Sequence, residues 1–143
     1  MNLRPARLDD APACAAILGD FFQSTPWLPR LHGPAEDLAF VTGLIRAGRV
    51  TVARHHDVVG FLARSGEEVS HLYLAPHARG RGTGRRLMDH AKAGRAVLRL
   101  WCFQQNTPAL AFYAAQGFVE VGRTDGSGNE ERLPDVRLEW RRA

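Results

Sequence analysis

The segment Leu72-Tyr73-Leu74-Ala75-Pro76-His77-Ala78-Arg79-Gly80-Arg81-Gly82-Thr83-Gly84 constrains this chain more than any other. An apolar strand pattern ends at a proline, glycines then recur at every second position, and the helical pattern of Leu87, Met88 and Ala91 begins. Backbone N–H groups at a helix start are unpaired and carry partial positive charge, so such a turn suits an anion. Glycine lets the backbone approach anion oxygens with no Cβ in the way. Arg79, Arg81, Arg85, Arg86, Lys92 and Arg95 crowd the same region and supply much of the excess of 19 Lys+Arg over 15 Asp+Glu. A solvated helix face would account for these cations; the glycines favour an anion site.

Two better-known glycine loops do not fit. A P-loop requires Gly-Lys-Ser/Thr, and no lysine follows the last glycine here. The dinucleotide fingerprint G-x-G-x-x-G has another spacing and opens a βαβ unit, whereas Gly80-x-Gly82-x-Gly84 follows a run of strands.

The rest of the chain sets a frame for that turn. A length of 143 residues suits a single domain over 1–143, long enough to bury a core without staples. Cys14 and Cys102 are far apart and in no metal-ligand or redox spacing, and they read as small buried hydrophobes. No histidine spacing suggests a metal, and none is expected. No stretch approaches the ~20 apolar residues of a membrane helix, and the start lacks an apolar leader core, so the expected location is cytoplasmic.

The periodicities give an ordered set of elements. Leu3–Ala6 is extended. Asp9 and Asp10 offer an N-cap to a helix through Ala13, Ile17 and Leu18, stopping near Gly19, with Phe21-Phe22 as a further turn. The prolines of Ser24–Pro34 exclude regular structure, and a helix over Ala35–Ala47 follows, closed by Gly48. Arg49–His55, Val58–Arg64 and Glu68–Leu74 form a meander of strands. After the glycine turn and its helix, Ala96–Phe103 is a buried strand. Asn106 caps a helix ending at Gly117, and Phe118–Arg123 and Val136–Trp140 are the last strands. The order β-α-α-β-β-β-α-β-α-β-β predicts a mixed α/β sheet with helices on both faces.

Arg79-x-x-Gly82-x-Gly84 resembles the pyrophosphate loop Arg/Gln-x-x-Gly-x-Gly/Ala of the GNAT superfamily of N-acetyltransferases. Asn106-x-x-Ala109-x-x-x-Tyr113-x-x-x-Gly117-Phe118 is similar to the later helix of that superfamily, at the expected distance downstream. The resemblance implies the GNAT fold, a mostly antiparallel sheet splayed at its centre, with acetyl-CoA as cosubstrate. It implies that the backbone of Leu72, Tyr73 and Leu74 pairs with the pantetheine arm, and that the Leu74 N–H faces the thioester carbonyl. The amides across Arg79, Gly80, Arg81, Gly82, Thr83 and Gly84 are then expected to hold the pyrophosphate, with Arg79, Arg81 or Arg85 adding charge-assisted bonds. Asn106 is expected to cap its helix and to contact pantetheine.

Acetyl transfer to an amine needs one base and one acid. Tyr113 matches the family's tyrosine and is the expected acid, donating to the departing thiolate. Glu68 is the expected base, and His71 is its rival, with an ordinary pKa near neutrality. Strand alternation puts Glu68 and His71 on opposite faces unless a bulge intervenes. Trp27, Arg30 and His32 in the proline-rich loop are expected near the acceptor, with Trp27 and His71 as substrate-binding residues. Asp125, Glu130, Glu131 and Asp135 in the late loop form either an ordinary solvated turn or a site of attraction for a cationic amine. The expected acceptor is a small-molecule amine, with a protein terminus or lysine as the alternative. A non-catalytic acyl-CoA sensor is the other class of reading, neither nucleic acid nor membrane is expected as a partner, and a homodimer is open.

Overall fold

The computed structural model describes residues Met1–Ala143. Strand β1 (Asn2–Pro5) leads into helices α1 (Ala11–Gln23) and α2 (Pro34–Arg46), followed by β2 (Val50–His55), β3 (Asp57–Ser65) and β4 (Glu68–Leu74). After the glycine turn come α3 (Thr83–Lys92), β5 (Val97–Phe103), α4 (Thr107–Ala115), β6 (Val119–Thr124) and β7 (Asp135–Arg141). The element order is the one the periodicities predict. The seven strands form one sheet in the order β1-β2-β3-β4-β5-β7-β6, in which only β4 and β5 run parallel.

Each helix buries one stripe against this sheet. Cys14, Ile17 and Leu18 of α1 and Val41 and Ile45 of α2 pack on Val50, Val52, Phe61 and Ala63. On the opposite face, Leu87, Met88 and Ala91 of α3 meet Leu62, Val69, Leu98 and Leu100, with Ala109, Leu110 and Phe112 of α4 against them. Helices therefore cover both faces, as expected.

Three local expectations need correction. Helix α1 does not stop near Gly19 but continues to Gln23. The Phe21 ring packs 4.9 Å from that of Tyr73, and such burial outweighs the roughly 1 kcal/mol helix penalty of one glycine. Asp10 makes no side-chain cap bond to α1. Its buried carboxylate instead takes the Arg7 N–H at 2.7 Å and both ends of the Arg4 guanidinium at 2.7 and 2.9 Å, tying β1 to α1. Lys92 stands apart from the loop arginines, donating to the Gln116 carbonyl at 2.6 Å and lying 5.0 Å over the Trp140 ring.

Strand β4 carries the irregularity that matters most for the site. Arg64 faces Val69 and Ala63 faces His71, so Ser70 is an extra residue on β4. The bulge restores the period on its far side. Glu68, His71 and Tyr73 consequently share the α1/α2 face, where plain alternation would have separated Glu68 from His71.

Candidate active site

The parallel strands at the centre of the sheet touch only at their base. Glu68 faces Arg99 as the sole register pair between β4 and β5, and the Arg99 N–H donates to the Glu67 carbonyl at 2.8 Å. Beyond that point the strands diverge. The direction of each strand's free edge follows from its antiparallel neighbour. The Ala75 N–H donates to the Val59 carbonyl at 2.8 Å, which makes Phe61–Tyr73 and Ala63–His71 the bonded pairs of the ladder. Leu72 and Leu74, in the alternate pairs, therefore turn their N–H and C=O groups toward the opening. On β5, the Arg142 N–H bonds the Ala96 carbonyl at 2.8 Å, so Arg99 and Trp101 turn their backbone toward β4. Two unpaired strand edges thus line a cleft of about 1190 Å³.

The glycine turn closes the α3 end of this cleft. Gly80 and Gly82 have φ of 71° and 82°, the left-handed region in which a Cβ is strained. A Cβ built on either would meet nothing within 4 Å, so the space above both is open. Gly84 is closely packed instead: a Cβ there would lie 3.3 Å from Phe112 Cε1 and 3.6 Å from Leu74 Cδ1. The first intrahelical bond of α3 runs from the Arg86 N–H to the Gly82 carbonyl at 3.0 Å, leaving the Thr83, Gly84 and Arg85 amides at the helix start without intrahelical partners. Arg79 and Gly80 line the cleft, and Arg81 is exposed beside them. Unpaired amides and open space thus adjoin a strand-shaped opening, an arrangement suited to an extended chain that ends in an anion.

The cleft brings together most of the residues that the sequence singles out. Trp27, His71, Leu72, Tyr73, Leu74, Arg79, Gly80, Gly84, Asn106 and Tyr113 all line it. Arg81, Gly82 and Thr83 stand outside the lining; Thr83 is buried, its hydroxyl 3.5 Å from Met1 Sδ. Asn106 caps α4, its Oδ1 accepting from the Ala109 N–H at 3.3 Å. Trp27 meets Phe103 edge to face, with ring centres 5.9 Å apart.

Tyr113 lies between Phe112 and Phe118, with ring centres 5.4 and 5.7 Å away. Burial raises the pKa of its phenol, and the neighbouring Cys102 and Tyr73 push in the same direction. The phenol is therefore protonated at neutral pH, and no side chain or backbone group of the chain hydrogen-bonds it. Burial also lifts the Cys102 thiol to about 11, which leaves it protonated and a poor nucleophile. His71 sits in the cleft wall with its ring 5.2 Å from that of Phe40 and its Nδ1 2.8 Å from Ser70 Oγ. Surrounding apolar atoms push its pKa down to about 4, so the imidazole is neutral at physiological pH.

Glu68 is placed differently. Its carboxylate takes a two-pronged bond from the Arg137 guanidinium, which also lies 5.1 Å over the Trp101 ring. It stands at the closed base of the opening and does not line the cleft. Sequence reasoning missed Arg137, for which no local signal exists, and gave Trp101 no part in the site. Trp101 is 51% exposed and lines the cleft.

Known proteins resemble this chain in sequence and in fold. The family model for the acetyltransferase (GNAT) domain matches residues 46–120, over half of the chain. The peptidyl-lysine N-acetyltransferase YjaB of Salmonella typhimurium is 36% identical over 76 residues, which are 53% of this chain and 52% of that protein. The chain thus matches about half the length of this curated relative. The solution structure of apo-form YjaB from Escherichia coli superposes with a TM-score of 0.81 at 26% identity, covering 97% of this chain and 96% of that one. A Salmonella typhimurium structure, yncA with its cofactor acetyl-CoA, shares the fold with a TM-score of 0.75 at 20% identity, over 99% of this chain and 93% of that one. With its glycine turn, its splayed strands and this matched core, the chain belongs to the GNAT acetyltransferase family.

Proposed function

We propose that this protein transfers the acetyl group of acetyl-CoA directly to a primary amine, and that the amine is a lysine side chain presented by a polypeptide. The observation that carries the reading is the pair of free strand edges, Leu72 and Leu74 opposite Trp101, opening onto the unpaired amides of α3. Acetyl-CoA supplies an activated acetyl thioester on a pantetheine arm that is itself extended and rich in amides, suited to pairing with such an edge. The lysine assignment draws support from the YjaB relative, which is named for that acceptor, and replaces the free small amine favoured by sequence alone.

The chain's own groups then divide the work. The Leu74 N–H, turned into the opening, stabilises negative charge on the thioester oxygen. The alkylammonium first releases one proton to solvent, which frees its lone pair; as the nitrogen bonds to carbon it becomes strongly acidic, and His71, weak but unprotonated, takes the second proton. Tyr113, holding its proton, delivers it to sulfur as the C–S bond breaks. Glu68 holds Arg137 across the base of the opening instead of meeting the amine. The test is thiol release from acetyl-CoA with a lysine-containing peptide blocked at its N-terminus. Stoichiometric thiol and a peptide heavier by one acetyl group are expected; tight acetyl-CoA binding with no transfer to any amine would instead favour a sensor.

A further inference from the structure

Three charged side chains line the cleft: Arg79 of the glycine turn, Glu131 of the segment joining β6 to β7, and Asp135 at the start of β7. Asp135 is buried and its carboxylate is engaged, accepting from the Thr124 hydroxyl and from Asn129 Nδ2 at 3.3 Å. Neighbouring Glu130 is outside the lining and pairs with His32. Glu131 is half-buried and has no ion-pair or hydrogen-bond partner in the chain. It is the one carboxylate of the cleft free to meet a ligand.

The loop that carries Glu131 is built with unusual constraint for a surface connection. Asn129 grips Leu133 at both backbone groups, donating to its carbonyl at 2.7 Å and accepting from its N–H at 3.2 Å. Gly126, with φ of 88°, lies so close to Leu133 that a Cβ would fall 2.3 Å from its carbonyl carbon. Arg132, directly after Glu131, holds a left-handed φ of 57°, which a non-glycine residue adopts only when its surroundings impose it. The lining of the same cleft includes the aromatic rings of Trp27 and Tyr73, and aromatic faces attract a cation.

We infer that Glu131 selects the acceptor by its charge: its carboxylate holds the incoming alkylammonium at the mouth of the cleft, between the aromatic faces of Trp27 and Tyr73. The inference rests on the acetyl transfer proposed above and names the recognition step of that same site. Glu131 acts on recruitment of the protonated amine, so its effect falls on KM, while an uncharged amine passes it by.

The test compares two acceptors in steady-state kinetics: an N-terminally blocked lysine peptide, cationic at neutral pH, and hydroxylamine, largely uncharged there. Glu131→Gln is expected to raise KM for the peptide roughly 10- to 100-fold, the range for a lost charge-assisted bond, with kcat and hydroxylamine turnover little changed. Glu131→Asp should recover part of the loss, and Glu130→Gln, which removes an equal charge one residue away, should reproduce none of it. Equal losses with both amines, or no loss with either, overturn the inference alone. A wild-type protein that binds acetyl-CoA in calorimetry yet turns over neither amine also overturns it. A wild-type protein that binds no acetyl-CoA brings down both this inference and the transfer reading beneath it.

Discussion

Glu68 and Arg137 form a two-pronged ion pair at the closed end of the opening between β4 and β5, with Glu68 Oε2 3.0 Å from Arg137 Nη1. The pair fastens β4 to β7 across β5, just where the strands begin to part. Under the proposed reading, this placement assigns Glu68 the part of a clamp and leaves His71 as the base. Glu68→Gln should change kcat by less than about threefold while lowering the melting temperature. His71→Gln should lower kcat by about 10²-fold, the ordinary worth of a positioned base. Rate profiles over pH for both variants decide the matter: a large loss for Glu68→Gln with His71→Gln near wild type would reverse the two roles.

Tyr113 offers a separate test of the acid step. Tyr113 lines the cleft and its hydroxyl has no partner within the chain, so Tyr113→Phe removes a donor without leaving a protein group stranded. We expect kcat to fall by about 10- to 100-fold with the dissociation constant for acetyl-CoA unchanged in calorimetry. A matching loss of affinity would mean that the ring holds the cosubstrate instead of protonating its leaving group.

Two glycines of the turn, Gly82 and Gly84, should respond unequally. Gly82→Ala meets no atom but forces alanine into a left-handed conformation, at about 1–2 kcal/mol, and puts a methyl group into the open space of the turn. Gly84→Ala needs Phe112 to yield by a few tenths of an ångström. Denaturant titrations beside acetyl-CoA binding separate these effects. Gly82→Ala should weaken binding more than its stability loss suggests, and Gly84→Ala chiefly stability. The opposite ranking would remove the anion site from the account.

Much of this was legible from residues close together in sequence. The glycine turn, its excluded alternatives, the Asn106 cap and the element order all rest on spacing within one strand or one helix. The bulge at Ser70 was not legible, because an extra residue in β4 is defined only against β3, and it decides that His71 shares a face with Glu68. Nor was the pairing of Glu68 with Arg137, which joins groups 69 residues apart. Gly19 misled for a related reason, since packing of Phe21 on Tyr73 carries α1 past a residue of poor helix propensity.

His32 links the two irregular loops, bonding Glu36 of α2 through Nδ1 at 2.8 Å and Glu130 of the β6–β7 loop through Nε2. These carboxylates, Glu36 first, raise its pKa above the ordinary 6.5. A raised histidine pKa places its contribution in full below the unfolded value, and that contribution fades as pH climbs through the folded one. Amide exchange in the Ser24–Pro34 segment, corrected for its intrinsic pH dependence, should therefore quicken from about pH 6.5 upward. His32→Gln should abolish that dependence; an identical pH response in the variant would show that another group sets the loop's order.

The cleft's readiness for an added strand is the claim on which the rest depends, and amide hydrogen exchange with and without desulfo-CoA addresses it most directly. Binding should slow exchange at Leu72, Leu74 and the Thr83–Arg85 amides, and leave Tyr73, already bonded to β3, unchanged. Saturable binding that protects none of these amides, or no binding at all, would contradict the account.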